Sequence, residues 1–147
     1  MDLSPEGELR AIHEHESSAL TTSFGIRSFL NGKCLDIEWA NRNNGAHTIM
    51  WDCHGGANQQ WYVDGNQIKS KLNNKCLDIE WANRNNGAHV IMWDCHGGAN
   101  QQWYGDGYQI KSGLNNKCLD IEWANRNNGA HIIMWDCHGG ANQQWHL

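Results

Sequence analysis

No apolar run among the 147 residues approaches the roughly 20 needed to span a bilayer. The longest, around Val90-Ile91-Met92-Trp93, is the size of a β-strand. Basic residues are scattered and outnumbered, 11 against 16 acidic ones for a net charge of −5. That leaves no clustered positive footprint of the kind nucleic acid requires. The first ten residues, MDLSPEGELR, lack a basic stretch followed by an apolar one. They do not read as a signal peptide, so a signal was either removed or never present. There is no CxxC pair, which argues against zinc bound at the usual spacing. No segment of helical period and length interrupts the chain beyond residue 24. No serine or cysteine nucleophile stands beside a plausible base. Neither a metal nor a cofactor is expected.

What is present is repetition. Residues 34–61, CLDIEWANRNNGAHTIMWDCHGGANQQW, return at 76–103 and 118–145, offset by 42 residues each time. Within the 28 positions only one varies, as Thr48, Val90 and Ile132. Self-similarity of this kind fixes architecture before any local reading does. Three copies suggest a closed three-fold object, not an open solenoid. Near-identity over 27 of 28 positions exceeds what a fold demands of its core. It points to recent duplication, copy-correcting exchange or design. Six cysteines fall two per copy, 19 apart: Cys34/Cys53, Cys76/Cys95 and Cys118/Cys137. Six cysteines allow 15 pairings. Three-fold symmetry leaves few, of which pairing within each copy is the simplest, and six reduced thiols would fit a cytosolic protein.

Residues 1–22 stand outside the repeat as an N-terminal extension, linker or short helix. Ser4-Pro5-Glu6 resembles a helix start, with Leu9 and Ile12 as a short apolar edge. His13-Glu14-His15-Glu16 reads as a solvated charged segment in preference to a metal site. Residues 23–147 form one domain, with repeats at about 23–62, 63–104 and 105–147. In the middle repeat, residues 66–72 alternate apolar and polar, the period of a strand. Further strands are expected at 76–79, 89–95 and 101–104. Asn73-Asn74, Asn86-Gly87 and the glycine-rich stretches 96–100 and 105–107 provide the turns. Four short strands in each of three copies give an all-β fold of twelve strands, a β-trefoil of three near-identical 42-residue repeats.

Cys-Leu-Asp, Asn-Gly, Trp-x-Cys and Asn-Gln-x-Trp in that order resemble one repeat of the ricin-type (R-type) lectins. Those proteins are β-trefoils whose three subdomains each end in Gln-x-Trp, here Gln59-Gln60-Trp61, Gln101-Gln102-Trp103 and Gln143-Gln144-Trp145. The resemblance spans residues 24–147 and implies disulfides within each repeat. In the family, the Asp of Cys-x-Asp, the aromatic before the second Cys and the Asn of Asn-Gln-x-Trp line a sugar pocket, and the following Gln braces the Asp. Carried over, these are Asp36, Trp51, Asn58 and Gln59; Asp78, Trp93, Asn100 and Gln101; Asp120, Trp135, Asn142 and Gln143. Their chemistry suits a sugar: a carboxylate accepts two hydroxyl protons and an amide both donates and accepts, while an indole stacks on the C–H face of a pyranose.

Trp61, Trp103 and Trp145 read as core. Trp39, Trp81 and Trp123 lie in a polar loop that gives them nothing to pack on, which makes them further candidate platforms. The chain departs from the family in placing Ile49, Ile91 and Ile133 where a Gln is frequent, and in the bulk of Trp39. His47, His89 and His131 read as partly exposed strand residues; the alternatives are donors reaching the pocket, or a meeting near the three-fold axis that holds an ion or water. His54, His96 and His138 read as solvated turn residues.

The function this implies is non-enzymatic carbohydrate binding at three equivalent shallow sites, with galactose or N-acetylgalactosamine ahead of mannose-type sugars. Glycans of glycoproteins or glycolipids would be the partners, and the protein a monomer or weak homodimer that cross-links them. A secreted or extracellular setting is expected, with a cytosolic one as the alternative. Competing readings are a glycan-targeting domain of a larger toxin or enzyme, a non-binding structural trefoil, and a glycosidase using Asp36 and Glu38 as a carboxylate pair.

Overall fold

A computed structural model describes residues 22–147. The expectations for Ser4, Pro5, Leu9, Ile12 and the stretch His13 to Glu16 lie outside the described residues. Among the described residues twelve short strands follow one another: β1 (Arg27–Ser28), β2 (Cys34–Ile37), β3 (Thr48–Trp51), β4 (Trp61–Asp64), β5 (Gln67–Ser70), β6 (Cys76–Ile79), β7 (Val90–Trp93), β8 (Trp103–Asp106), β9 (Gln109–Ser112), β10 (Cys118–Ile121), β11 (Ile132–Trp135) and β12 (Trp145–His146). Every pairing between them is antiparallel. They form three four-stranded sheets, β12-β1-β2-β3, β4-β5-β6-β7 and β8-β9-β10-β11. The result is the three-fold β-trefoil expected from the repeat. No described helix is long and apolar enough to cross a membrane.

The sheets are out of frame with the sequence repeats. Each takes its first strand from the end of one repeat and the other three from the next, so β12, the last strand of the chain, pairs with β1 near its start. The copies are also laced together around the axis. The Asn-Gly turns at Gly45, Gly87 and Gly129 take φ of 91°, 93° and 92°, the region glycine enters freely. Their amides donate to Met92, Met134 and Met50 of the neighbouring repeat at 2.8 Å each. In return Met92, Met134 and Met50 donate to Ala46, Ala88 and Ala130 at 2.9 Å. The asparagine before each glycine extends the same link. Asn44 holds Asp94, Asn86 holds Asp136 and Asn128 holds Asp52, each through both its amide nitrogen and its oxygen.

Inside lies one core, mostly of Ile, Leu, Met and Trp side chains, drawn from all three copies. Trp61, Trp103 and Trp145 are 0%, 2% and 0% exposed, as their place in Gln-x-Trp suggests. Each indole N–H donates to a buried carbonyl, of Leu35, Leu77 and Leu119, at 3.1–3.2 Å. The tryptophans thus bury their full area without an unpaired polar group. Beneath the hairpins, Thr48 donates its hydroxyl to Val90 O at 2.6 Å, so the one variable position of the repeat stays satisfied when it is polar.

Two expected strands are displaced. Gln101 lies in a tight turn, Ala99–Gln101, and β8 begins at Trp103 and runs through Gly105 to Asp106. The turn tucks the Gln101 side chain inward, where it pairs with His96 N, Asp94 O and Asp78. The third strand is shorter than 89–95. His89 makes only an isolated bridge, to Ile133, and the Asp94 amide donates to Asn44 instead of a neighbouring strand. Similarly, β1 covers two residues, and Phe24 meets Trp61 through a separate bridge.

The disulfides join Cys34 to Cys53, Cys76 to Cys95 and Cys118 to Cys137. Each ties the start of a hairpin to the residue two beyond its end, over a separation of 19 residues. Closing a loop of that length contributes about 3 kcal/mol in the chain-entropy view. Replacing Cys76 and Cys95 together by alanine is expected to lower the denaturation midpoint by roughly 6–12 °C. Reduction of the wild-type protein should lower it further, and calorimetric scans with and without reductant check both.

Candidate functional site

Strand β2 is buried at all four positions, which carries Asp36 inside with its neighbours. Asp36, Asp78 and Asp120 are each 3% exposed, an expensive place for a carboxylate unless it is hydrogen-bonded. The turn Ala57–Gln59 supplies the bonds. Gln59 donates Nε2–H to Asp36 Oδ2 at 2.7 Å and to Asp52 O at 3.0 Å, while its Oε1 accepts from His54 N at 2.9 Å. Asn58 donates Nδ2–H to Asp36 Oδ1 at 3.3 Å and to Ile37 O at 3.1 Å. Asn100 and Gln101 hold Asp78 in the same way, and Asn142 and Gln143 hold Asp120. The predicted Asp, Asn and Gln therefore meet in all three copies, with the Gln behind the carboxylate as its brace.

Above each Asp is an open pocket, of about 380, 370 and 390 Å³ in chain order. The first is lined by Asp36, Glu38, Trp39, Ala40, Ile49, Trp51, His54 and Asn58, and the others by the equivalent residues. Trp51, Trp93 and Trp135 leave the ends of their hairpins exposed, as part of the lining of each pocket. Trp39, Trp81 and Trp123 form another part of the lining and are almost wholly exposed. Their backbone is left-handed: φ is 58°, 60° and 59° at the tryptophans and 50° at each following alanine. For side chains other than glycine this conformation costs about 1–2 kcal/mol per residue.

Four lining residues were not among the predicted site residues: Glu38, Ala40, Ile49 and His54. His54 is exposed, as expected of a solvated turn residue. Its Nδ1 accepts from the Gly56 amide at 3.0 Å, and its Nε2 lies 3.6 Å from Asp36 Oδ2. A Cβ at Gly56 would come within 2.9 Å of the imidazole, so the second glycine is what lets the ring fold back toward the pocket. The His-Gly-Gly triplet was the available signal, legible only once the turn was known. His47, His89 and His131 are exposed and do meet around the three-fold axis, with ring centroids 6.1, 6.1 and 6.2 Å apart in edge-to-face contact. Among the described residues no group of three or more His, Cys, Asp or Glu is arranged to hold a metal ion.

Two sets of carboxylates are driven in opposite directions. Burial raises Asp36, Asp78 and Asp120 above the usual carboxylate pKa, against the opposing pull of the Gln bond, the nearby His and the Asn bond. Asp52, Asp94 and Asp136 are exposed and are lowered by hydrogen bonds from Lys33, Lys75 and Lys117 and from the neighbouring repeat's Asn. The first set faces the pockets and the second clamps the copies together. A buried, oriented acceptor that shares an open pocket with two indoles can accept a hydrogen bond from a hydroxyl while an apolar ring face rests on an aromatic.

Residues 22–145 match the family of the ricin-type β-trefoil lectin domain. Among solved structures, the C-terminal half of an earthworm R-type lectin, in complex with GalNAc, is 34% identical, with a TM-score of 0.74, over 84% of this chain and 95% of that one. The designed three-fold symmetric protein ThreeFoil is 33% identical, with a TM-score of 0.78 and the same coverage. An exo-β-1,3-galactanase from Clostridium thermocellum is 28% identical, with a TM-score of 0.78, over 85% of this chain but only 29% of the enzyme.

The raised carboxylates fix a pH dependence. A ligand hydroxyl that donates to Asp36, Asp78 or Asp120 needs them ionised, so affinity is expected to fall on acidification before pH reaches the ordinary Asp value of about 3.9. Their contribution to folding stability runs the other way. Between the unfolded and the raised folded pKa the native chain holds more protons, so stability from these groups rises as pH falls through that window. Calorimetric titration from neutral pH downward, paired with thermal melts, checks both signs; an affinity flat to about pH 4 would contradict the site.

Proposed function

The chain belongs to the ricin-type β-trefoil lectin family, and from that premise we propose that it binds galactose-type sugars, galactose or N-acetylgalactosamine, at three equivalent pockets. The observation that carries the reading is the buried carboxylate at the floor of each pocket, held through both oxygens by Asn58 and Gln59 or their equivalents. Asp36, Asp78 and Asp120 accept vicinal hydroxyl protons. Asn58, Asn100 and Asn142 flank those hydroxyls, and Trp51, Trp93 and Trp135 stack on the C–H face of the ring. Gln59, Gln101 and Gln143 stay behind the carboxylates. The GalNAc complex of the earthworm lectin half supports this choice of sugar.

Binding occurs without turnover. Asp36 and Glu38 both line the pocket, but both Asp36 oxygens are engaged by neighbouring amides, which suits a fixed acceptor better than a group that must exchange protons. Each site is open and solvated, so each is individually weak. Three on one rigid body gain about 10²–10⁴-fold on a glycan-covered surface when they engage together, and cross-link glycoproteins or cells with no need for oligomerisation. Three disulfides suit an extracellular setting. The partial coverage of the galactanase favours a second arrangement, in which the same domain targets a larger protein to glycans.

Titration with galactose is expected to show saturable binding with about three sites per chain. The near-isosteric triple variant Asp36→Asn/Asp78→Asn/Asp120→Asn should bind at least about tenfold more weakly, the cost of losing hydrogen bonds to a charged acceptor. A chromogenic galactoside should be released by neither protein. Heat with other sugars on a glycan array, and none with galactose, would keep the pocket and replace the ligand.

A further inference from the structure

We propose that Trp39, Trp81 and Trp123 form an outer subsite on each pocket that stacks on the second ring of a neutral oligosaccharide, the first ring being held at the carboxylate. The proposal rests on the carbohydrate reading above and adds the length and charge class of the ligand to it.

Exposure rises in steps across one pocket: 3% at Asp36, 39% at Trp51 and 87% at Trp39. A ring seated on the carboxylate occupies the bottom of that gradient. Whatever it is bonded to must pass the rim, where the Trp39 indole stands. A monosaccharide that satisfies Asp36, Asn58 and Trp51 makes little use of an indole so far out.

The placement of that indole works against the local chain. Trp39 has φ 58° and ψ 19°, and Ala40 follows in the same left-handed region. Trp81 and Trp123 repeat it to within a few degrees. Glycine or asparagine would take these angles readily, whereas a bulky side chain does so only under constraint. Nothing in the interior compensates, because none of the turn's three residues is buried. A strained backbone that presents an unpacked aromatic at the rim of a pocket, in triplicate, is explained by a contact made outside the protein.

The lining also sets the charge of that ligand. Among the described residues, Asp36 and Glu38 bring two carboxyl groups to the lining, no Lys or Arg joins them, and His54 is the one basic group. An acidic second sugar would be repelled. A neutral galactosyl disaccharide presents a second C–H face to the indole and no charge to Glu38.

The test uses the full-length protein, methyl β-galactoside and lactose in calorimetric titrations, with two triple variants at Trp39, Trp81 and Trp123. One set is Trp→Asn, which accepts left-handed angles and removes the platform. The other is Trp→Phe, which keeps an aromatic face. The wild-type protein is expected to prefer lactose by about tenfold, the scale of one aromatic stacking contact. The Asn variant should lose about that preference and less than about threefold on methyl galactoside, while melting no lower than wild type. The Phe variant should regain part of the preference. Equal wild-type affinity for the two ligands overturns the outer subsite, as does an Asn variant that keeps the preference or loses both ligands in proportion. An Asn variant that melts markedly lower assigns the tryptophans to the fold and also overturns it. Wild-type protein silent to both ligands overturns the galactoside reading itself, and the subsite with it.

Discussion

The reciprocal backbone bonds between each repeat and the next, Gly45 to Met92 and Met92 back to Ala46 and so around the axis, are the constraint on which the rest of this structure depends. They work because the three copies are equal. The same donor and acceptor must appear at the same height three times, and each must find its counterpart on a neighbour. Equality then propagates outward. The Asn-Gly turns that make the bonds also present Asn44, Asn86 and Asn128 to the aspartates of the next copy. The lysine that completes each clamp comes from that aspartate's own copy. Exposed ion pairs of this sort contribute little singly. Closed into a ring, they fix the relative rotation of the hairpins, and hence the position of each pocket.

The pockets follow from the same hairpins through a second trade. A carboxylate at 3% exposure is costly, and the fold meets that cost with side-chain amides from one short turn in place of a cation. Amides satisfy the oxygens while leaving the group able to accept more, whereas a paired lysine would have neutralised it and filled the space. The contrast is internal: Asp52, three residues before Gly55, is exposed, bound by Lys33, and serves cohesion. Two aspartates of one 28-residue block thus take opposite roles, decided by which side of strand pairing they fall on.

Much of this was legible in the sequence because repetition supplied what an isolated segment cannot. The 42-residue period implied closure, the 76–79 strand was read to the residue, and the Asp, Asn and Gln that meet at the pocket were named from their side-chain chemistry and the family resemblance. What escaped depended on three-dimensional detail. Gln101 looked like a strand residue because it precedes Trp103 with the right alternation; only its three inward hydrogen bonds show why the chain turns there. His54 is exposed as read, but its approach to the carboxylate was not legible, since it depends on Gly56, where a Cβ would meet the imidazole. Trp39 could be singled out as unpacked, but its left-handed backbone left no trace in residue type, since tryptophan is among the last side chains one would assign to such angles. The sheets' displacement from the repeat frame was equally invisible, because a period reports its length and not its phase.

That phase has a genetic consequence. Tandem copies this similar invite unequal recombination, which would hand descendants chains of two or four repeats. In an open solenoid such chains would simply be shorter or longer. Here the last strand must pair with the first, and every sheet borrows a strand from the preceding copy. A chain of two leaves the ring unsealed, and a fourth copy arrives with no place in it. Exchange that preserves copy number passes this filter, and exchange that alters it does not. Topology thus acts as a counting device: three copies seal the ring, and neither two nor four do.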